Sequence, residues 1–251
     1  MNDERTLAAI NLHAILRNLE DLCQLDEDAR ALLKGHELKI GMRVPGLDPL
    51  TLEVKDGCLS ARRGGEPGGL RLQFFSPAHL NGMVSGVKMP LPTGGFSHLR
   101  FLKNNFAALA KDLEKYLRPS RENLTDPAFL DKNIRLTAAA ALYAVSEVAN
   151  HDPLGQKISL VMGDGNVRLE VPGVLAYTIQ AKDGKLTTIK GKQLPAQAFM
   201  TFGSLDILGQ VLRGEIDSYL CIGRGEIAVG GRIPMVDNLN KLLRLVSAYL
   251  T

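Results

Sequence analysis

The chain has 251 residues, of which 45% are hydrophobic and 23% are charged, and its 30 basic and 27 acidic side chains leave a net charge of +3. This composition is that of a globular protein with one large or two small domains, and it excludes a disordered chain or a coiled coil. The weak charge and the absence of tryptophan give no support to a nucleic-acid partner. No apolar run approaches the ~18 residues of a membrane span. Since the start Met1-Asn2-Asp3-Glu4 is unlike a signal peptide, we expect a cytoplasmic protein without an integral membrane segment.

Residues that could carry chemistry are scattered along the chain. The cysteines Cys23, Cys58 and Cys221 are too far apart for a disulfide framework or a zinc site, and we expect Cys58 and Cys221 to be small core residues. None of the five histidines stands at metal-ligand spacing from another histidine or a cysteine. The Gly223-Arg224-Gly225 segment lacks the Gly-Lys-Ser/Thr ending of a P-loop. We therefore predict no catalytic residue, no metal and no cofactor.

The sequence repeats itself at an offset of 127 residues. Val44-Pro45-Gly46 recurs as Val171-Pro172-Gly173, and Lys55-Asp56-Gly57 recurs as Lys182-Asp183-Gly184. Further identities keep this register without a gap: Thr51 with Thr178, Leu59 with Leu186, Gly64 with Gly191, Phe75 with Phe202, Gly82 with Gly209 and Val84 with Val211. Turn residues alone would not keep one register over this length, so the pattern predicts a tandem duplication of a domain of about 120 residues.

Both halves predict the same order of elements. In the first half, the predicted elements are a helix over 7–25, strands over 38–44, 52–54 and 70–75, a helix from Ser76 and a closing amphipathic helix over 99–116. In the second half, they are a helix over 134–149, strands over 167–171, 177–181 and 198–202, a helix from Ser204 and a closing helix over 235–250. This order predicts an α+β fold, with a mostly antiparallel sheet covered by helices on one face in each half. The polar, proline-containing run 118–128 predicts a linker between domains 1–117 and 129–251.

The second half resembles the sterol carrier protein type 2 (SCP2) lipid-binding domain over nearly all of 138–251. The residues that carry this resemblance are Gly214-Glu215, Tyr219, Gly223-Arg224, the strand Glu226-Ile227-Ala228-Val229-Gly230 and the apolar helix from Met235 to Leu250. The first half resembles the family only through the internal repeat. It lacks nine residues between Gly82 and Gly94, where Met89-Pro90-Leu91-Pro92 stands instead. The resemblance implies two SCP2-like domains, of which the first is degenerate, lacks the short helix and has no ligand-sized cavity.

For the second half, the resemblance implies an apolar cavity of roughly 300–1,000 Å³ between the sheet and the helices that cover it. We expect its lining to come from Met200, Phe202, Leu208, Leu212, Tyr219, Ile222, Leu239, Leu242 and Val246. Its ligand would be a long-chain fatty acid, acyl-CoA, isoprenoid or sterol-like lipid, bound without chemistry. Transient contact with a membrane or an enzyme is compatible with this interpretation, and the oligomeric state stays open. One alternative is an accessory or scaffold protein of lipid or isoprenoid-quinone metabolism that acts through protein contacts. Another is an enzyme whose site lies between the two domains.

Overall fold

The structure is a computed structural model that describes residues 3–65, 69–191 and 194–250. The chain divides into two compact units, Met1–Leu136 and Thr137–Thr251. The division falls inside a long helix, α7 (Pro127–His151), and not at the polar run 118–128. The start of this helix packs within the first unit, where the Phe129 ring stacks on Tyr116 at 4.6 Å between centroids. Residues 127–136 therefore belong to the first unit.

The first unit consists of a five-stranded sheet, the helices before and after its strands, and one helix between its fourth and fifth strands. Its strands are β1 (Leu38–Arg43), β2 (Leu50–Lys55), β3 (Cys58–Arg63), β4 (Leu70–Gln73) and β5 (Leu91–Gly94). Its helices are α1 (Glu4–Ile10), α2 (Leu19–Leu25), α3 (Glu27–Ala31), α4 (Pro77–Val84), α5 (Leu99–Phe101) and α6 (Ala107–Leu117). Short π- or 3-10-helical segments lie at Asn11–Leu16, Phe96–His98, Leu102–Phe106 and Asn123–Thr125.

The second unit contains a second five-stranded sheet. Its strands are β6 (Gly165–Val171), β7 (Leu175–Lys182), β8 (Lys185–Lys190), β9 (Ala198–Phe202) and β10 (Ile227–Gly231). After α7, its helices are α8 (Pro153–Met162), α9 (Leu205–Leu212), α10 (Ser218–Gly223) and α11 (Ile233–Leu250). Along β6, Val167, Leu169 and Val171 are buried and alternate with half-buried polar residues, because successive side chains of a strand point to opposite faces.

The two sheets have the same topology. The strand order is β3-β2-β1-β4-β5 in the first unit and β8-β7-β6-β9-β10 in the second. The central pairs β1–β4 and β6–β9 are parallel, and the other neighbours are antiparallel. The predicted α+β fold with mostly antiparallel sheets is therefore confirmed. The origin of the two units in one duplicated domain stays a prediction that this common order supports.

The register of the repeat changes by one residue before the fourth strand. Ile40 lies opposite Leu70 in the first sheet, and Val167 lies opposite Ala198 in the second. The first residues of these pairs are 127 apart in sequence, whereas their partners are 128 apart. The offset of 127 therefore holds for the hairpins of β2–β3 and β7–β8 but not beyond them.

This shift corrects part of the sequence comparison. The structural counterpart of Phe202 is Phe74, since both are buried, whereas Phe75 is 70% exposed. Ser76 and Ser204, also 128 apart, each cap the following helix with the side-chain oxygen. The predicted matches of Phe75 with Phe202, Gly82 with Gly209 and Val84 with Val211 are therefore wrong by one residue.

The units differ most between the fourth and the fifth strand. Six residues, 85–90, connect α4 to β5, whereas fourteen residues, 213–226, connect α9 to β10 and include α10. The first unit therefore has no counterpart of α10, as the sequence predicts. The shortfall is eight residues and not nine, because the fourth strand already carries the shift of one residue.

An aspartate–tyrosine hydrogen bond recurs in both units and was not foreseen from the sequence. Asp26 caps the N-terminus of α3 and accepts a hydrogen bond of 2.7 Å from Tyr116 Oη on α6. Asp152 caps α8 and accepts a bond of the same length from Tyr249 Oη on α11. In each unit the bond therefore ties the helix before the first strand to the closing helix. Asp26 accepts a further side-chain hydrogen bond of 3.0 Å from Lys132 Nζ.

Candidate ligand-binding site

The candidate site of the second unit is built around the inner face of β9. Met200 and Phe202 lie two residues apart on this strand, and both are buried, whereas Phe199 is only half-buried. This is the alternation that a regular strand requires. The predicted inward orientation of Met200 and Phe202 therefore agrees with their burial.

The covering helices contribute most of the other predicted lining residues. Leu208 on α9 is buried, as are three residues of α11, namely Leu239, Leu242 and Val246. Leu212, in the last turn of α9, is half-buried. Met235 and Val236 at the start of α11 are also buried, although they were not among the predicted residues. Together these side chains form an apolar layer under the helices; the predicted cavity within it stays a prediction.

Two predicted lining residues point outward. Tyr219 on α10 is 64% exposed, and Ile222 on the same helix is 38% exposed. Residues three apart share one face of a helix, and here that face is turned to solvent. The inward position of α10 is occupied by Cys221, which is 2% exposed. In this structure Tyr219 and Ile222 therefore do not face the apolar layer, and their contact with a ligand stays a prediction.

The buried Cys221 side chain anchors α10, and its thiol is a poor nucleophile. The Cys221 carbonyl accepts a hydrogen bond of 2.9 Å from the Glu226 N–H. Burial raises the pKa of the Cys221 thiol, and a hydrogen bond with Glu226 raises it further. A thiol with a raised pKa stays protonated at neutral pH and is a poor nucleophile. The prediction that Cys221 is a core residue is confirmed, whereas Cys58 is exposed and the same expectation for it is wrong.

Both ends of α10 are connected through glycines in the left-handed region. Gly214 has φ of 69° and Gly225 has φ of 74°, and a Cβ on either would meet nothing within 4 Å. The backbone conformation, and not lack of space, therefore favours glycine at both positions. Arg213 and Glu215, on either side of Gly214 in sequence, are joined by two hydrogen bonds of 2.7 and 2.8 Å from the guanidinium to the carboxylate. These bonds lower the pKa of the Glu215 carboxyl. Asp217 then caps α10 by accepting from the Tyr219 and Leu220 N–H groups.

Within residues 3–65, 69–191 and 194–250, no three histidine, cysteine, aspartate or glutamate side chains lie together in a way that could hold a metal ion. No helix in the described parts of the chain combines the length and the apolar content that crossing a bilayer requires.

Comparison with known proteins gives structural likenesses only. No family model matches the sequence, and no curated protein matches it. A solved structure described as the ubiquinone synthesis protein UbiJ-SCP2 is 17% identical, with a TM-score of 0.35, over 45% of this chain and 93% of that one. The sterol carrier protein domain 2 of Helicoverpa armigera is 18% identical, with a TM-score of 0.36, over 45% of this chain and 89% of that one. The sec-alkylsulfatase Pisa1 of a Pseudomonas species is 13% identical, with a TM-score of 0.32, over 60% of this chain and 28% of that one. At these values the likenesses establish neither a family nor an activity for this chain.

Proposed function

We propose that the second unit binds a long-chain apolar ligand, such as a fatty acid, an acyl-CoA, an isoprenoid or a sterol-like lipid, and does no chemistry on it. The observation that carries this proposal is the exposed apolar surface of α10. Tyr219, Leu220 and Ile222 are 64%, 52% and 38% exposed on a helix of six residues. Clustered exposed apolar side chains are uncommon on monomeric proteins and mark surfaces that bind something apolar.

The way in which α10 is attached supports a role as a movable cover. A helix of six residues has little stability of its own, so α10 depends on the Asp217 cap and on the buried Cys221 side chain. The left-handed glycines Gly214 and Gly225 flank this short helix, and hinges lie at such element ends. In the proposed bound state, α10 turns so that Tyr219 and Ile222 contact the ligand. The ligand chain then lies against the layer of Met200, Phe202, Leu208, Leu212, Leu239, Leu242 and Val246.

The physical driving force is the removal of apolar surface from water. Burial contributes about 25 cal/mol per Å² of apolar surface, or about 0.8 kcal/mol per methylene group. A long alkyl chain therefore needs no charged anchor in this layer. The protonated Cys221 thiol supports binding without a covalent step.

Fluorescence titration of the full chain with cis-parinaric acid tests the proposal. We expect saturable binding, and we expect the double variant Leu220→Ser/Ile222→Ser to weaken it at least tenfold. The matched control is Leu154→Ser/Val161→Ser, which makes an equal change at exposed residues of α8 and should alter the affinity less than twofold.

Two outcomes would contradict the proposal. One is that the parent chain neither binds cis-parinaric acid nor retains a lipid when purified and weighed by native mass spectrometry. The other is that the α8 variant loses as much affinity as the α10 variant, since this would show general surface hydrophobicity and no site.

A second candidate function is that of an accessory protein acting through protein contacts, for example in lipid or isoprenoid-quinone metabolism. The exposed apolar side chains of the first unit favour it. Phe75 and Met89 are both exposed. The His79 ring stacks on Phe75 at 5.1 Å, and its Nε2 lies 2.8 Å from the Met89 carbonyl oxygen. Failure of the parent chain to bind any lipid, with the first unit's surface intact, would favour this candidate.

A further inference from the structure

The outer face of the first sheet carries a small polar pocket. Its volume is about 130 Å³, roughly ten times the ~10–15 Å³ that a single water molecule requires. Its lining residues come from β1, β4 and β5 and are Gly41, Arg43, Arg71, Leu72, Gln73 and Thr93. This pocket is smaller than the ~300 Å³ at which drug-sized ligand sites begin, so it fits a small group and not a lipid chain.

Strand register places the two arginines of the pocket on one face of the sheet. In the parallel pair β1–β4, Gly41 lies opposite Arg71, and Arg43 lies opposite Gln73. Alternate residues of a strand point to one face, so Arg43 and Arg71 project from the same side of the sheet. Gly41 has no side chain, and it therefore leaves the space between the flanking side chains open.

The positive charge of this pocket is not neutralised by the described residues. No ion pair or side-chain hydrogen bond in ranges 3–65, 69–191 and 194–250 involves the guanidinium of Arg43 or Arg71. On the same face, the Glu53 carboxylate lies 3.3 Å from Lys39 Nζ and is therefore already paired. Two guanidinium groups without an ion pair can donate charge-assisted hydrogen bonds to an anion in the space beside them.

The second unit shows what the same positions contain when they do not form such a pocket. There, Arg168 corresponds to Gly41, Glu170 to Arg43, and Phe199 to Arg71. Arg168 Nε lies 3.6 Å from Glu170 Oε2, so the charges pair. The ring of Phe199 lies over Gly230, as the guanidinium of Arg71 lies over Gly94. The same backbone thus carries a paired arginine and an aromatic ring in one unit, and two arginines without an ion pair among the described residues in the other.

We propose that the pocket of Arg43, Arg71, Gln73 and Thr93 binds a phosphate group. A guanidinium donates two parallel hydrogen bonds to a pair of oxygens, and a phosphate offers enough oxygens for two such groups, whereas a single carboxylate is satisfied by one. The Thr93 hydroxyl is a further possible donor in the pocket, and the Gln73 amide, which donates one hydrogen bond of 3.1 Å to the Phe74 carbonyl, has a second N–H. The phosphate is either a free one or the headgroup of a lipid, and the exposed Leu91, opposite Gln73, gives an apolar neighbour for the second source.

Binding of inorganic phosphate and of vesicles by the full chain tests this site. Calorimetry at low ionic strength measures phosphate binding, and flotation compares vesicles of pure phosphatidylcholine with vesicles that also contain phosphatidic acid. The variants are Arg43→Gln, Arg71→Gln and the double variant Gly41→Arg/Arg43→Glu, which installs the pair of the second unit. The matched control is Arg62→Gln. Arg62 is exposed on β3 and lies opposite Thr51 of β2, which lies opposite Gly41 of β1. It is therefore an arginine on the same face of the sheet, two strands away from Gly41.

We expect each pocket variant to weaken binding at least tenfold and Arg62→Gln to change it less than twofold. This pattern with inorganic phosphate assigns the site to a free phosphate. The same pattern with phosphatidic-acid vesicles alone assigns it to a lipid headgroup, and either result supports the proposal. No binding of either probe, or an equal loss in Arg62→Gln, overturns it, because the second result shows attraction by diffuse surface charge. These outcomes are independent of cis-parinaric acid binding by the second unit.

Discussion

The two sheets of this protein share their strand order but not the chemistry of their outer faces. In the first, Gly41 and the unpaired Arg43 and Arg71 leave a cationic pocket. In the second, Arg168 pairs with Glu170 on the corresponding strand. The buried face of a sheet fixes its register, because a slip of one residue would turn the apolar side chains to solvent. The outer face carries no such constraint, so the two units can differ there without a difference in fold.

The connection between the fourth and the fifth strand is a second difference of the same kind. The first unit has the short loop 85–90, whereas the second has α10 with its exposed apolar side chains. Loops between the elements of a rigid scaffold accept such changes most easily and often carry function. The two proposals accordingly give the units different ligands, an anion for the first and an apolar chain for the second.

The largest expected effect is at a matched pair of leucines. Leu80 on α4 and Leu208 on α9 are 128 residues apart and both buried. Leu80→Ala should lower the free energy of unfolding by roughly 2–5 kcal/mol, because it leaves a void in a packed core. Leu208→Ala should cost at least ~1 kcal/mol less if its side chain faces a layer that opens for a ligand. Urea unfolding, with hydrogen exchange of β1 and β6 to identify the unit that opens, measures both.

An equal loss at both leucines would remove this distinction between the units. Together with no detectable lipid binding by the parent chain, it would favour the accessory protein over the carrier. Leu239→Asp is no substitute for this test. A charge there would be costly in a packed core and in an apolar cavity alike.

The next effect concerns the two aspartates that bind tyrosines. Burial alone would raise the pKa of Asp26, but hydrogen bonds from the Ala29 N–H, Tyr116 and Lys132 outweigh it and lower the pKa from 3.8 to about 2. A lowered folded-state pKa stabilises the fold above the unfolded value, and this contribution is lost as the pH falls through about 2. Asp26→Asn should therefore cost about 2 kcal/mol at pH 7, with the difference from the parent shrinking below about pH 4.

Asp152→Asn is the matched control in the second unit. Asparagine caps helices as well as aspartate does, and it can still accept the bond from Tyr249. Since Asp152 has no bond to a lysine comparable to that between Asp26 and Lys132, its loss should stay below about 0.5 kcal/mol. Urea titrations between pH 7 and pH 3 compare the two variants. Equal losses of unfolding free energy in the two variants would mean that the pairing of Asp26 with Lys132 does not contribute to stability.

Much of the fold could be predicted from local patterns. Alternating apolar residues identified β1 and β6, and the serines at 76 and 204 marked the start of α4 and α9. The one-residue shift could not be predicted, because Phe74-Phe75 offers two candidates and only strand pairing shows which is buried. The orientation of α10 is equally ambiguous from sequence, since Tyr219, Leu220 and Ile222 are as apolar as the buried Cys221.

Features that join distant parts of the chain were beyond sequence reasoning. The Asp26–Tyr116 and Asp152–Tyr249 bonds connect residues 90 and 97 positions apart. The proposed phosphate site depends on the parallel pairing of β1 with β4, which places Arg71 opposite Gly41. A search for local motifs passes over both arginines, because neither stands in a basic cluster or a glycine-rich phosphate loop.

The smallest expected effect separates the two outer faces directly. A Cβ on Gly94 would meet the guanidinium of Arg71, and a Cβ on Gly230 would meet the ring of Phe199. A guanidinium at the end of a flexible side chain can move into solvent, so Gly94→Ala should change the free energy of unfolding by less than about 0.5 kcal/mol. The half-buried ring of Phe199 has less freedom, so Gly230→Ala should cost about 1 kcal/mol.

Phosphate binding should respond in the opposite order. Gly94→Ala displaces a guanidinium of the proposed pocket and should weaken the binding of inorganic phosphate or of phosphatidic-acid vesicles, whichever probe the parent binds. Gly230→Ala changes a face without free arginines and should leave this affinity unchanged. Calorimetry and urea unfolding of the same two variants give both quantities. If Gly94→Ala lowered stability as much as Gly230→Ala and left phosphate binding intact, Arg71 would be a packing residue like Phe199, and the outer faces would not differ in function.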